Sequence, residues 1–387
     1  MSNWQHMKKS GMYSLEQIQT YIVKVWRGIR HWSHKSQIAS CSNRRSLRDF
    51  VCLFLLGATL SVAIAACESS SASKADVKLN LVSFSVTQAA HDQIIPKFVA
   101  KWKKEHNQNV TFERSYGGSG SQADAVIKGS IEADVVHLAL PLDVNKIQQA
   151  GFIQPHWEVE AAKGSIVSRS VATIVTRPGN PKGIKTWEDL AKNDVKLIAA
   201  NPKTSGIAIW EFLALWGSVT QTGGDEAKAL DFATKVYKNV PVLTASARDA
   251  SDLFFQQGKG DVLINYENEV FLAEQKGEKQ PYVVPGVNIS IDNPVTVVDK
   301  NVEKHGTREV AEAFIDFLYS AEAQREFARL GYRPVNPYVI AEVASKYPRI
   351  QTLFTILDLG DWDAVQKQFF ANGATFDKIQ AQAASKA

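Results

Sequence analysis

From Val77 onwards the chain alternates short apolar segments with longer segments of helical pattern, and this alternation restricts its fold more than any other feature. The strand-like segments include residues 78–84, 110–114, 195–199 and 261–264, and the helix-like ones 94–105, 205–216 and 226–237. Alternation of this kind predicts an α/β architecture. A length of 387 residues suggests two or three domains.

The charge of the chain is divided unevenly between its beginning and its body. Residues 1–66 hold nine of the 44 basic residues and two of the 40 acidic ones, which leaves 35 basic and 38 acidic residues after position 66. The body is therefore close to neutral. It has no excess of positive charge to support nucleic-acid binding, so no nucleic-acid partner is predicted.

The basic residues Arg44, Arg45 and Arg48 precede an apolar run at 50–66 that ends in the sequence IAAC. This order predicts a secretory signal over 44–67. The IAAC ending resembles a bacterial lipobox, which implies that Cys67 is lipidated and that the protein is periplasmic and lipid-anchored. A soluble signal and a retained membrane anchor are the alternatives. A Ser-rich tether follows at 68–76, and residues 1–43 form an extension of unknown role.

All three cysteines lie at or before position 67, and the five histidines of the body are scattered. The body therefore has no thiolate for a metal site and no His-Glu-x-x-His spacing. We predict neither a metal nor another cofactor. His91 and His106 are expected at solvated positions on the first helix.

Three turns share one arrangement, in which a strand runs into small residues and then into a helix. They are GGSGS at 117–121, KTSGI at 203–207 and ASAR at 245–248. The first N–H groups of a helix have no partner inside it, and the helix dipole is positive there. Three such turns together predict one oxyanion held by converging helices.

None of these turns fits a catalytic motif. The phosphate-binding sequence GxxxxGK[ST] is absent, and Gly118-Ser119-Gly120 is not a GxSxG nucleophile elbow. Glu267 and Glu269 are two residues apart on a helix and point to different faces, so we interpret them as structural. We therefore predict that the protein is not an enzyme.

Five segments resemble the prokaryotic sulfate-binding proteins, the periplasmic receptors of sulfate and thiosulfate ABC importers. They are YGGSGSQ (116–122), NPKTSG (201–206), GDVLI (260–264), ENE (267–269) and PVTVVDK (294–300). The resemblance implies a two-lobed periplasmic-binding-protein fold of type II with lobes joined by crossing strands. It implies lobe I at 77–162 plus 266–387 and lobe II at 163–265. It also implies a monomer whose partners are sulfate, or thiosulfate, and the ABC permease subunits.

The resemblance also implies ligand contacts. Ser119, Gly206, Ile207 and Ala247 would donate backbone N–H groups, and Ser205 its hydroxyl. Gly118 and Arg248 would support the site from outside direct contact. Two positions depart from the family pattern, because Tyr266 stands where well-known members have Trp, and Ser85 where they have Asp.

Two alternatives stay open at this point. One is a receptor for thiosulfate, molybdate or phosphate. The other is a secreted α/β enzyme acting on sulfate or phosphate esters, which would need a nucleophile beside a base, or metal ligands.

Overall fold

The computed structural model of the protein describes residues 75–384. The predicted extension at 1–43, the signal at 44–67 with Cys67, and all but the last two residues of the tether lie outside these residues. Among residues 75–384 we find no helix with the length and apolar character needed to cross a membrane.

The first sheet has five strands in the order β2-β1-β3-β11-β4. Their bounds are β1 Val77–Phe84, β2 Val110–Gly117, β3 Val135–His137, β4 Ile166–Ser170 and β11 Ile291–Val297. β1 pairs in parallel with β2 and β3, whereas β11 runs antiparallel to β3 and β4.

The second sheet also has five strands, in the order β7-β6-β8-β5-β9. Their bounds are β5 Ala172–Thr176, β6 Leu197–Ala200, β7 Leu243–Thr244, β8 Val262–Tyr266 and β9 Tyr282–Val283. The strands β10 Val287–Ile289 and β12 Thr352–Phe354 form a separate parallel pair.

Helices connect these strands and follow them. Within residues 75–384 they are α1 Gln88–His106, α2 Ser119–Ile127, α3 Pro141–Gln149, α4 Gly206–Thr220, α5 Glu226–Lys238, α6 Ala247–Phe255, α7 Glu267–Gln275, α8 Asp299–His305, α9 Arg308–Leu318, α10 Ala321–Arg329, α11 Pro337–Glu342, α12 Trp362–Val365 and α13 Thr375–Ala384. A π-helical turn at Gln366–Phe370 follows α12. The predicted alternation of strands and helices is confirmed.

Strand β1 shows why the apolar segments become central strands. Leu79 and Leu81 pack in one apolar cluster, and Val82, on the opposite face, packs in another with Val136 and Trp157. A strand buried on both faces reads as a nearly continuous apolar run. The apolar run at 133–140 predicts a buried strand. Strand β3 is shorter than that run, because Leu140 already caps α3 and Pro141 begins that helix.

Two segments cross between the sheets. The sequence at 168–176 predicts an extended segment that crosses between lobes. Strands β4 and β5, which are separated by Val171 alone, do belong to different sheets. The return runs through β10 into β11. Two sheets joined by crossing strands confirm the predicted fold class.

The predicted lobe boundaries stay a prediction, but two contacts differ from them. β9 at Tyr282–Val283 pairs with β5 in the second sheet, although residue 266 was expected to begin the return to lobe I. The last segment of the chain also leaves lobe I, since Phe376 packs 5.1 Å from Tyr237 and 5.8 Å from Phe212. Neither contact could be predicted, because each joins residues that lie far apart in the sequence.

Candidate functional site: three converging helix N-termini

The three small-residue turns meet. A Cβ atom placed on Gly118 would lie 2.3 Å from the carbonyl oxygen of Thr204 and 2.7 Å from that of Ala245. Gly118 is the N-cap of α2, Thr204 lies just before α4, and Ala245 just before α6. Only a residue without a side chain allows this approach, so the glycine in the first turn lets all three helix starts converge.

Hydrogen bonds join the turns to one another. The N–H of Ser121 donates to the carbonyl of Thr204 at 3.3 Å, and the Thr204 hydroxyl donates to the carbonyl of Ala245 at 2.8 Å. Thr204 therefore contacts both other turns. Its role was missed at the sequence level, although it lies inside the NPKTSG segment, because a threonine in a turn carries no signal of its distant partners.

The N–H groups at the helix starts are left available. Within residues 75–384 the hydrogen bonds do not use the N–H groups of Ser119, Gly206, Ile207 or Ala247. These residues are buried, with exposures between 1% and 3% for Ser119, Ile207 and Ala247. Buried N–H groups are nearly always paired in proteins, so this set indicates a place for an acceptor.

The serines at the helix starts differ from one another. Ser246 caps α6 by accepting from the N–H of Asp249 at 3.2 Å, and the hydroxyl of Ser119 accepts from the N–H of Ala139 at 3.0 Å. Ser205 is the N-cap of α4 but makes no capping bond, and it is 3% exposed. A serine at this position usually bonds its own helix, so its hydroxyl is available to another group.

Tyr266 contributes a buried donor with no partner. It lies at the end of β8 and is 1% exposed, and its phenolic oxygen makes no hydrogen bond within the described residues. Its ring packs 5.8 Å from that of Phe84, the residue before Ser85. Burial raises the pKa of Tyr266 well above its ordinary value, so the phenol keeps its proton and can donate.

Ser85 lies in the short 3-10 helix Ser85–Thr87 that follows β1, and it is partly buried. The neighbouring Thr87 hydroxyl donates to the carbonyl of Phe84 at 2.7 Å, which fixes this turn beside the Tyr266 ring.

Arg248 and the two glutamates of the ENE segment form separate ion pairs. Arg248 Nη2 lies 2.9 Å from Glu269 Oε1, and Ser251 donates to the other oxygen of Glu269 at 2.7 Å. Glu267 accepts from Arg333 at 2.7 and 3.1 Å. The structural interpretation of Glu267 and Glu269 is confirmed, because each faces its own arginine.

The prediction that His91 is solvated is wrong. His91 and His137 are both fully buried, with His91 Nε2 3.1 Å from His137 Nδ1 and His91 Nδ1 3.1 Å from the Tyr116 hydroxyl. Burial lowers the pKa of His137 to about 3 and that of His91 well below its usual range. His91 belongs to α1, whose inward face can be identified only once the helix is placed on β1 and β3.

Glu211, on α4, was also missed. It is 1% exposed, and its carboxyl oxygens make no hydrogen bond of ordinary geometry among the described residues, although the backbone N–H of Ala200 is close enough to oppose part of the effect of burial. Burial raises its pKa well above the ordinary value, so the neutral acid is favoured. Its charge, when present, acts on Tyr266 and Tyr237.

Comparisons with known proteins match the same part of the chain. Residues 79–333 match the family described as bacterial extracellular solute-binding protein. The chain is 52% identical over 345 residues to a sulfate-binding protein of Synechococcus elongatus, covering 88% of this chain and 98% of the relative. It is 38% identical over 301 residues to a thiosulfate-binding protein of Pseudomonas aeruginosa, covering 77% and 90% of the two chains.

A solved structure shows the same fold. The sulfate-binding protein SubI from Mycobacterium tuberculosis H37Rv superposes with a TM-score of 0.70 and 34% identity, over 76% of this chain and 99% of that one.

Proposed function

Because the chain belongs to the bacterial extracellular solute-binding proteins, we propose that it is a receptor that binds sulfate between its two sheets and delivers it to an ABC permease. The observation that carries this proposal is the meeting of three helix starts around unpaired, buried N–H groups. The predicted secretory signal and the lipidation of Cys67 belong to the same proposal, since such a receptor works outside the cytoplasm.

The donors at this place suit a dianion. Ser119, Gly206, Ile207 and Ala247 would each donate an N–H group, and Ser205 and Tyr266 a hydroxyl. Hydrogen bonds to a charged acceptor are stronger than neutral ones, and three positive helix ends add a favourable field. Gly118 allows the approach, and the charge of Arg248 is balanced by Glu269.

Sulfate is favoured over phosphate by the proton that phosphate keeps near neutral pH. The N–H groups at the turns offer that proton no acceptor, and the hydroxyls of Ser205 and Tyr266 are used as donors in the proposed site. An unpaired buried donor costs about 1–3 kcal/mol. Thiosulfate is also fully ionised and is the second candidate, supported by the thiosulfate-binding relative.

Enzymatic hydrolysis of a sulfate or phosphate ester is the candidate from another class. Such an enzyme would need a histidine bonded to a serine of the three turns. The buried His91 and His137 are instead hydrogen-bonded to each other, and the hydroxyl of Ser119 is bonded to the N–H of Ala139. No group of three His, Cys, Asp or Glu among residues 75–384 could hold a metal ion. We therefore propose a receptor that returns its ligand unchanged.

Calorimetric titration with sulfate, thiosulfate, molybdate and phosphate between pH 5 and pH 8 tests the proposal. We expect sulfate to bind with nearly constant affinity across this range and phosphate to bind more than about tenfold more weakly. Phosphate binding within tenfold of sulfate would contradict the set of donors. Incubation with a sulfate or phosphate ester that releases the free alcohol and the inorganic anion, followed by mass spectrometry, would favour the enzyme.

A further inference from the structure

One hydrogen bond joins helix α4 to the first sheet. The indole Nε1 of Trp210 donates to the carbonyl of Ala139 at 2.9 Å. Trp210 lies on α4, one turn after Gly206, whereas Ala139 follows β3 in the other sheet. Both residues are 1% exposed. The bond is therefore shielded from water and connects elements that belong to different sheets.

The peptide of Ala139 is held firmly on its own side. Its N–H donates to the hydroxyl of Ser119, the first residue of α2, at 3.0 Å. Its carbonyl also accepts from Asn293 Nδ2, on β11, at 3.0 Å. Ala139 is thus a fixed point next to the start of α2, and Trp210 ties α4 to that point.

The two helix starts are also in direct contact. A Cβ atom on Gly206 would lie 2.5 Å from Ala139 Cβ, 2.4 Å from Leu140 Cδ2 and 3.2 Å from Ser119 Cβ. This contact sets the shortest possible distance between the starts of α2 and α4. The hydrogen bond from Trp210 to Ala139 prevents a longer distance between these helix starts. The contact and the bond together therefore fix the distance between the starts of α2 and α4.

We propose that Trp210 is a positioning residue for the anion, which holds the N–H groups of Gly206 and Ile207 at a set distance from that of Ser119. The role rests on the proposed function, since an anion that bridges α2 and α4 needs both sets of donors at once. Hydrogen bonds weaken steeply when their length or angle departs from the optimum, so a freer α4 binds the anion less tightly.

Trp210→Phe tests this role, with Trp216→Phe as the matched control. Both residues are buried on α4, but Trp216 packs on Phe212 and Phe369 and makes no indole hydrogen bond among the described residues. A phenylalanine at 210 keeps a ring against Trp362, which lies 5.0 Å from the Trp210 ring. The two variants therefore share the loss of an indole, and only one loses a bond between the sheets.

We expect Trp210→Phe to weaken sulfate binding by about 3- to 10-fold, the effect of one lost hydrogen bond. Most of this loss should come from faster dissociation of sulfate. Trp216→Phe should change the affinity by less than about twofold while lowering the melting temperature. Stopped-flow rates measured on both variants separate positioning from general stability. Equal dissociation rates in the wild type and Trp210→Phe, or equal changes in the two variants, would overturn the proposal.

Amide hydrogen exchange without ligand supplies a second readout that needs no sulfate. Exchange at the first turn of α4 should speed up in Trp210→Phe and stay as in the wild type in Trp216→Phe. Unchanged exchange in Trp210→Phe would overturn the positioning role. A wild type that binds no sulfate would instead overturn the proposed function, and the exchange result alone would then decide the role of Trp210.

Discussion

Gly118 illustrates how a single residue can permit the site. It lies against the carbonyl oxygens of Thr204 and Ala245, which are backbone atoms and cannot rotate away as the end of a side chain can. Gly120, two residues on, is less crowded, since a Cβ atom there would lie 3.4 Å from the carbonyl oxygen of Lys203.

Gly118→Ala is expected to weaken sulfate binding by about tenfold or more, because overpacking costs ~1–3 kcal/mol and forces the first turn away from the other two. Gly120→Ala is the control and should bind with an affinity close to that of the wild type. Calorimetric titration of both variants checks this. Equal affinities for the two variants would show that the turns need not touch for the anion to bind.

Tyr266→Phe removes the unpaired phenol and nothing else. If the phenol donates to the anion, the variant should lose about 1–3 kcal/mol of sulfate affinity, the range for a hydrogen bond to a charged group. Tyr237 is another buried tyrosine and packs on Phe212 and Phe376. Tyr237→Phe is therefore the control and should leave the sulfate affinity unchanged. A change of only a few tenths of a kcal/mol at Tyr266 would make Ser85 the first candidate for the missing donor.

Glu211 should make the protein less stable as the pH rises. Its pKa in the folded protein lies above the unfolded value, so between the two the folded state keeps a proton that the unfolded state releases. Each pH unit in that window lowers the free energy of unfolding by up to about 1.4 kcal/mol. Glu211→Gln should therefore gain stability relative to the wild type between pH 5 and pH 8.

Urea unfolding without ligand at pH 5 and pH 8 measures this gain. Glu188 is exposed, so Glu188→Gln is the control. Its free energy of unfolding should equal that of the wild type at both pH 5 and pH 8. If the free energy of unfolding of Glu211→Gln also equals that of the wild type at both pH values, the Glu211 carboxyl is ionised in the folded protein.

At the scale of elements, the last segment of the chain supports α4, which begins at the second turn, and the neighbouring helix α5. Phe376 on α13 is fully buried and packs against Phe212 of α4 and Tyr237 of α5. The neighbouring Asp377 forms an ion pair of 2.9 Å with Lys203 in the second turn, and both groups are about one-third exposed. The apolar contact is the stronger of the two, because water screens an exposed ion pair.

Phe376→Ala is expected to lower the free energy of unfolding by about 3–5 kcal/mol, the usual cost of emptying a buried aromatic position. Asp377→Asn, on the same helix, should lower it by less than about 1 kcal/mol. Denaturant unfolding of both variants gives the comparison. A larger loss for Asp377→Asn would mean that the ion pair, and not the aromatic cluster, holds α13 in place.

At the scale of the whole molecule, the proposed site takes donors from helices of both sheets, so we expect ligand binding and the distance between the sheets to be coupled. Contacts such as Ser121 to Thr204 join the two sides only when the sheets approach. A ligand that contacts both sides favours the closed arrangement. The crossing strands around Val171 are the place where this motion can occur.

Saturating sulfate should therefore shrink the radius of gyration in solution scattering. It should also raise the free energy of unfolding by about 2.7 kcal/mol at a ligand concentration of 100 times the dissociation constant. Phosphate at the same concentration is the control and should cause a smaller change in both. A radius of gyration and a melting temperature that sulfate leaves unchanged would contradict a closing receptor.

The sequence by itself determined the α/β alternation, the three helix starts and the five segments that resemble the sulfate-binding proteins. These are local features, since a strand, a small-residue turn and a helix start each depend on neighbours within a few positions. Gly118, Ser119 and the NPKTSG segment are such local features, so the sequence predicts the three turns without any knowledge of their contacts.

Only the tertiary structure decided which distant groups meet. The contact of Gly118 with Thr204 and Ala245, the bond from Trp210 to Ala139 and the packing of Phe376 on α4 and α5 join residues far apart in the chain. Apolar periodicity does not show that a polar side chain lies on the inward face of its helix, so the burial of His91 and Glu211 could not be predicted. These long-range contacts bring the helix starts of separate segments together, and the anion site that we propose depends on that placement and not on any one turn.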